Sequence, residues 1–244
     1  MRNFFEEKGY TPSSKILIFD KKQLRALLIC IAFAAMSSFL AAKLDDRQTY
    51  ILILTLAAIN LFMIMLRLIN YIFIIKKFDP ASSLPLHFCS FNVMLCFVGV
   101  VFNVPALMDY VFAISPVMAL IALICPESDA AKYPHARSFR CWEYYYSHTC
   151  LILVPILSAK YLDFSPSIEY LPYCAGLFIG TMLVASVVNY YTKGNYMYIS
   201  RAPHGTPFVA IERLTGKTIY RIILICGVIA LYFIAHLTAP LLGI

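Results

Sequence analysis

Residues 50–75 read YILILTLAAINLFMIMLRLINYIFII, 26 positions with a single charged side chain, Arg67. Wound as a helix, about 20 such residues cross the ~30 Å of hydrocarbon in a bilayer. Six more runs of the same character flank this one, at 24–42, 84–104, 107–125, 139–157, 171–192 and 219–242. Lipid offers no partner to a bare N–H or C=O, so each run is predicted to be a helix that satisfies its own backbone. The expected fold is all-α: a polytopic membrane protein of about seven transmembrane helices, forming one domain over 24–244 behind a cytosolic leader over 1–23. Composition agrees, with 61% hydrophobic residues and a mean hydropathy of +0.76, far above what a soluble domain of this size needs.

A net charge of +7 raises the question of nucleic acid, but the 20 Lys and Arg sort by side rather than into a patch. With successive loops counted alternately, sixteen fall on one side: in the first 25 residues, at Lys76 and Lys77, at Lys132, Arg137 and Arg140, and over 193–221. Three, Lys43, Arg47 and Lys160, fall on the other. This positive-inside split puts the N-terminus in the cytosol and the C-terminus outside, with an odd number of crossings. The basic charge is thus assigned to topology and anionic lipid, with no nucleic-acid partner. The charged leader is long and the first run exceeds a signal peptide's apolar segment, so no cleavage is expected. The protein is expected to be integral to the membrane, the plasma membrane in a bacterial cell. The eight cysteines sit in or at the ends of the runs, which is no disulfide framework, and no CxxC or zinc spacing occurs.

Local signals refine the runs. Only 103–105 separates the third from the fourth, which predicts a tight antiparallel hairpin. Asp79, Pro80, Ser82 and Ser83 predict a turn and an N-cap for the third helix, with Pro85 in that helix's first turn, where its missing N–H is harmless. Pro126, Pro134 and His135 mark the fourth loop. Pro116 and Pro155 fall inside helices and are expected to kink them. The dense tyrosines around 144–146 and 190–198 fit an interfacial belt.

The polar residues inside the runs collect at one depth. Asn60, Arg67, Asn70 and Tyr71 lie in the second run, His87, Cys89, Ser90 and Asn92 in the third, Glu143, Ser147 and His148 in the fifth, and Asn189 near the end of the sixth, followed by Asn195 and Tyr196. Nearly all belong to the predicted cytosolic half. A shared polar cavity accounts for that clustering better than scattered helix–helix hydrogen bonds. At 1.5 Å per residue, Cys89 is placed roughly 8 Å in and His148 roughly 14 Å in. Each residue also has a plain reading. Cys89 is either a small packing residue or a nucleophile, and Cys141, on one helical face with His148, is a rival thiol. His148 is either a structural hydrogen-bonder or a functional base. His87 is solvated or meets a headgroup, and Arg67 snorkels, pairs with Glu143 or meets lipid phosphate. His87-x-Cys89 offers two metal ligands, too few for a site, so neither metal nor cofactor is expected.

Three motifs carry a resemblance. Leu84-Pro85-Leu86-His87-Phe88-Cys89-Ser90 resembles the "LPLHLCS" signature of the YwaF family of multi-pass membrane proteins. Ala122-Leu123-Ile124-Cys125-Pro126-Glu127, then Tyr133-Pro134 and His148, resembles its "ALLTPD…FP…H" region. Asn189-Tyr190, then Asn195-Tyr196-Met197-Tyr198 and Pro203, resembles its "N…NYMFL..KP" element. Together they cover about half the chain. Departures mark a divergent member: Phe112 is followed by Ala113 and Ile114 rather than "WG", and the tryptophan-rich element before the last helix is absent. The family's eukaryotic branch, transmembrane protein 164, is understood as an acyltransferase that moves a fatty acyl chain onto a lysophospholipid with a membrane Cys and His. The resemblance implies Cys89 as nucleophile and His148 as general base, with His87, Asn92, Asn189, Asn195, Tyr196 and Arg67 as substrate or oxyanion residues and phospholipid or lysophospholipid as partner.

The expected function is therefore an intramembrane lipid acyltransferase, or an acyl hydrolase with the same machinery, working through a Cys89 thioester. The alternative is a lipid carrier or scramblase with a polar cytosolic-side cavity and no covalent chemistry. A receptor or assembly subunit is a third class. A retinal pigment is disfavoured, since the last run has no Lys for a Schiff base.

Overall fold

A computed structural model describes residues 4–5, 20–125, 138–203 and 206–244. Most of the expected leader, and the loop positions Pro126, Glu127, Lys132, Tyr133, Pro134, His135 and Arg137, lie outside the described residues. Within them the protein is helical, with no strand. The helices are α1 (Lys21–Ala41), α2 (Asp46–Ile69, continued by a π-turn at Asn70–Ile74), α3 (Phe88–Phe102), α4 (Pro105–Ile124), α5 (Phe139–Tyr161), α6 (Leu171–Thr192) and α7 (Phe208–Thr238). Each lies on one of the seven apolar runs.

The ends follow from local chemistry. The Asp20 side chain caps α1 by accepting from Gln23 N–H at 2.7 Å. Gln23 then donates to the carbonyls of Leu123 and Ile124, both at 3.0 Å, so the start of α1 satisfies the end of α4. Asp45 and Gln48 form a capping box on α2. Ser138 caps α5 through the Cys141 N–H. Asn103 turns left-handed (φ 48°) between α3 and α4, and Pro105 begins α4, giving the short connection expected there.

The third helix departs from expectation. It begins at Phe88, not at Leu84, and its N-cap is His87, whose side chain makes no cap. Asp79 does organise a turn, taking Ala81 N–H and Ser82 O–H on its carboxylate. Ser83 turns back on that loop instead of forward, its Oγ accepting from Asp79 N–H at 3.1 Å. Pro85 accordingly precedes the helix. Because 84–87 are not helical, a rise of 1.5 Å per residue does not apply to them, and Cys89 sits at the helix mouth rather than more than a turn inside.

Among the described residues, five helical segments are long and apolar enough to cross a membrane: Lys21–Ala41, Asp46–Ile74, Pro105–Ile124, Ile168–Thr192 and Phe208–Leu241. α3 is apolar but has 15 residues. α5 has 23 residues and a polar half, Glu143, Ser147 and His148 among its buried positions. The packing explains how α5 tolerates this. It is the central helix, contacted by α1, α2, α3 and α4, while α4 also carries α6 and α7. α1, α6 and α7 expose apolar side chains on the outside of the bundle, among them Leu28, Phe39, Ile179, Leu183, Ile222 and Ile234.

Candidate functional site

At the end where α2, α4 and α6 finish and α3, α5 and α7 begin, the helices splay around a cavity of about 510 Å³. α3 contributes Cys89 and Ser90, with His87 just before it. α5 contributes Arg140, Glu143, Tyr144 and His148. α2 contributes Arg67 and Tyr71. Cys89 and His148 therefore face one space, although they enter on different helices. Two described thiols line it: Cys89 and Cys125, at the C-cap of α4. The rival Cys141 packs instead with Cys30, Leu123 and Tyr145.

Cys89 is the second residue of α3, where the backbone N–H groups of the first turn have no helical acceptor. His148 is held by its own helix: Nδ1 meets the Tyr144 carbonyl at 2.7 Å. A carbonyl only accepts, so Nδ1 bears the hydrogen and the neutral ring keeps its lone pair on Nε2. No described residue engages Nε2. The Tyr144 ring packs against the imidazole at a tilt, centroids 4.2 Å apart.

Beside these two lies a buried charge cluster. Arg67 Nη1 donates to Glu143 Oε1 at 2.9 Å, and Arg67 Nη2 donates to Ser90 Oγ at 2.9 Å. Arg140 donates to Glu143 Oε2. Of the roles open to Arg67, the ion pair with Glu143 is the one present. The cluster holds two cations and one anion, a net +1 on the cavity wall, with Lys77 on the same wall. Glu143 is 2% exposed, whereas Arg140 is 33% exposed and forms the open edge.

Four of the sequence candidates stand behind the wall instead of on it. Asn92 donates to Ser115 Oγ at 2.9 Å, between α3 and α4. Asn189 grips the backbone of Tyr196 on both sides, accepting from its N–H at 2.7 Å and donating to its C=O at 3.0 Å. Asn195 accepts from the N–H groups of Ser200 and Arg201 and donates to the Arg201 carbonyl. Tyr196 is fully buried; its hydroxyl donates to the Pro80 carbonyl at 2.7 Å and accepts from Leu84 N–H at 3.0 Å. Burial pushes that phenol above its usual range, so it stays a donor.

These contacts join the first and last motifs physically. The short helix Tyr196–Tyr198 is tied to the turn that precedes Cys89, and His87 packs between the rings of Tyr196 (5.1 Å) and Tyr198 (5.4 Å). Met197 and Tyr198, both at φ 55°, adopt the left-handed backbone that side chains disfavour, and both line the cavity. Sequence reasoning assigned no site role to Arg140, Tyr144, Tyr198 or Cys125. Arg140 was counted as a loop charge, and its spacing of three from Glu143 is the signal that pairs them.

No group of three or more His, Cys, Asp or Glu among the described residues could hold a metal ion. No curated protein and no solved structure matches the chain. The profile of the TMEM164 family matches residues 18–238, which takes in α1 to α7 and both walls of the cavity. The chain is a member of the TMEM164 family.

Proposed function

We propose that the protein is an intramembrane acyltransferase that moves a fatty acyl chain between lipids through a Cys89 thioester, with His148 as general base. The observation that carries this reading is the single cavity lined by Cys89, by a His148 whose Nε2 no described residue engages, and by a net-positive Arg67–Glu143–Arg140 cluster. His148 Nε2 takes the Cys89 proton as sulfur bonds to the ester carbonyl carbon of the donor, so no free thiolate has to persist against the apolar wall. First-turn N–H groups of α3 and the nearby guanidinium stabilise the oxyanion. The C–O bond then breaks, the departing lysolipid oxygen takes the proton from His148, and the acyl group stays on sulfur. The hydroxyl or amine of a second lipid gives its proton to His148 and attacks the thioester, and sulfur leaves and is reprotonated. Arg67, Arg140 and Lys77 suit the lipid phosphate.

The same reading includes seven crossings, with the N-terminus and the cavity on the cytosolic side and the C-terminus outside; in a bacterium the membrane is the plasma membrane. A buried cluster supports it. Asp109, the fifth residue of α4, accepts from Ser167 N–H before α6 at 3.0 Å and meets His236 Nε2 in the last turn of α7 at 2.9 Å. The start of α4 and the end of α7 thus share one end of the bundle. A chain in which α3 and α5 did not cross would put them at opposite ends.

The test is intact mass spectrometry of the reconstituted protein and its Cys89→Ala, His148→Ala and Cys125→Ala variants, given a phospholipid with an isotope-labelled acyl chain. A hydroxylamine-sensitive acyl adduct is expected in the parent and in Cys125→Ala, absent in Cys89→Ala, and slowed about 100-fold or more in His148→Ala. Lipid movement without an adduct, equal in the parent and in Cys89→Ala, would sink the reading in favour of a carrier.

A further inference from the structure

α6 and α7 follow one another in the chain and both pack on α4, yet they scarcely touch each other. Between them lies an apolar groove of about 290 Å³, walled by Ile114, Phe178, Met182, Ile225, Val228 and Ile229. Three of these, Phe178, Met182 and Val228, also line the cavity that holds Cys89 and His148. The two spaces therefore adjoin through shared side chains. On the outer side of the wedge, Ile179 and Leu183 are 58% and 62% exposed, so the slot opens toward the surface that faces lipid.

At the end of the groove away from that cavity the lining is Leu171, Cys174 and Tyr232, and the last two give their polar hydrogens to Asp109: Tyr232 O–H to Oδ2 at 2.6 Å and Cys174 Sγ–H to Oδ2 at 3.6 Å. That turns the polar hydrogens of both side chains away from the groove and leaves an apolar lining there. From Met182, shared with the reactive cavity, to Cys174 is eight residues of α6, or roughly 12 Å, and Leu171 carries the lining one turn further. A polar cavity adjoining an apolar slot that runs on along α6 has the shape of one lipid with one chain parked.

From this we infer that the groove between α6 and α7 takes the transferred acyl chain of a membrane lipid, which enters sideways from the bilayer. The inference rests on the reaction proposed above, which makes this chain the transferred one; occupancy of the groove by a chain is measured without it.

Ala175 is exposed, lines the groove one residue from Cys174, and leaves room for a larger side chain. Val184, on the same helix, is 54% exposed and off the groove. In the kinetic arm, Cys89 acylation is compared for dioleoyl and didecanoyl phosphatidylcholine. Ala175→Trp is expected to shift the ratio at least ten-fold toward the shorter chain, since each excluded methylene is worth about four-fold. Val184→Trp is expected to leave the ratio unchanged. In the binding arm, vesicles contain phosphatidylcholine with a diazirine at the chain end, and the protein carries Cys89→Ala. Saturable crosslinks are expected at Ile179, Ile225 and Ile229, lost in Ala175→Trp and kept in Val184→Trp. Crosslinks that neither saturate nor respond to Ala175→Trp would mark ordinary annular lipid and overturn the inference, even with Cys89 acylation intact. Protein–protein crosslinks in place of lipid ones would overturn it in favour of a second helix. Groove crosslinks that respond, with no Cys89 adduct, would keep the groove and remove the proposed reaction.

Discussion

Glu143 sends both carboxylate oxygens into ion pairs inside the bundle, one to Arg67 and one to Arg140. Removing its charge leaves two guanidinium groups facing each other across a desolvated gap, the arrangement that costs about 3–5 kcal/mol when a buried pair is broken from one side. Glu143→Gln is therefore expected to lower the melting temperature of the detergent-solubilised protein by roughly ten degrees. Adding Arg67→Met should recover part of that loss, because one of the orphaned cations is then gone. An unchanged melting point for Glu143→Gln would mean that the cluster is solvated and not structural. That a charge deep in an apolar run needs a partner was legible, and Glu143 was one of three readings for Arg67 that the sequence left open. Which asparagines face the cavity was not. Asn92 turned toward Ser115 on the next helix reads the same, in one dimension, as Asn92 turned toward a substrate.

Between α6 and α7, Gly194 stands where the strand of chain carrying Tyr196 crosses the turn before α3. A Cβ built there would lie 2.6 Å from the Ala81 carbonyl oxygen, a backbone atom with no rotamer to yield. Gly194→Ala should pry the two segments apart and loosen the Tyr196 contacts to Pro80 and Leu84. Hydrogen exchange is then expected to speed up over 195–199 and 82–87, with acylation of Cys89 slowed although no cavity residue has changed. Exchange confined to parental rates would show that the crossing relaxes without cost. The helices themselves were readable because lipid allows an apolar run little else. The late start of α3 was not. An X-Pro step at 84–85 disfavours helix in the preceding residue, but the apolar character of Leu84 and Leu86 masked that break, so the run began the helix four residues early.

At the scale of the bundle, α3 and α5 decide the topology, and they are the two helices that length and composition leave out of the five apolar spans. α3 has 15 residues, about 22 Å of rise, short of a 30 Å slab. The π-turn after α2 and the left-handed Lys76 break the chain before it, and non-helical backbone at this depth is tolerated where protein covers it. α5 reads as too polar because its polar half faces α2, α3 and the cavity, not lipid. The hydropathy of a central helix reports what it packs against. The hinge between α3 and α4 separates the alternatives. With seven crossings, Asn103 lies outside with Asp163, opposite Arg213. With five, it lies inside with Arg213. All three are exposed, so Asn103→Cys, Asp163→Cys and Arg213→Cys each present a thiol to water. The left-handed backbone at 103 costs a cysteine about 1 kcal/mol, too little to unfold a hairpin. In intact cells, a membrane-impermeant maleimide should label the first two above the parent and reach the third only after permeabilisation. Labelling of Asn103→Cys that waits for permeabilisation along with Arg213→Cys would remove α3 from the membrane-crossing set, and with it the cytosolic placement of a cavity built on the mouth of α3.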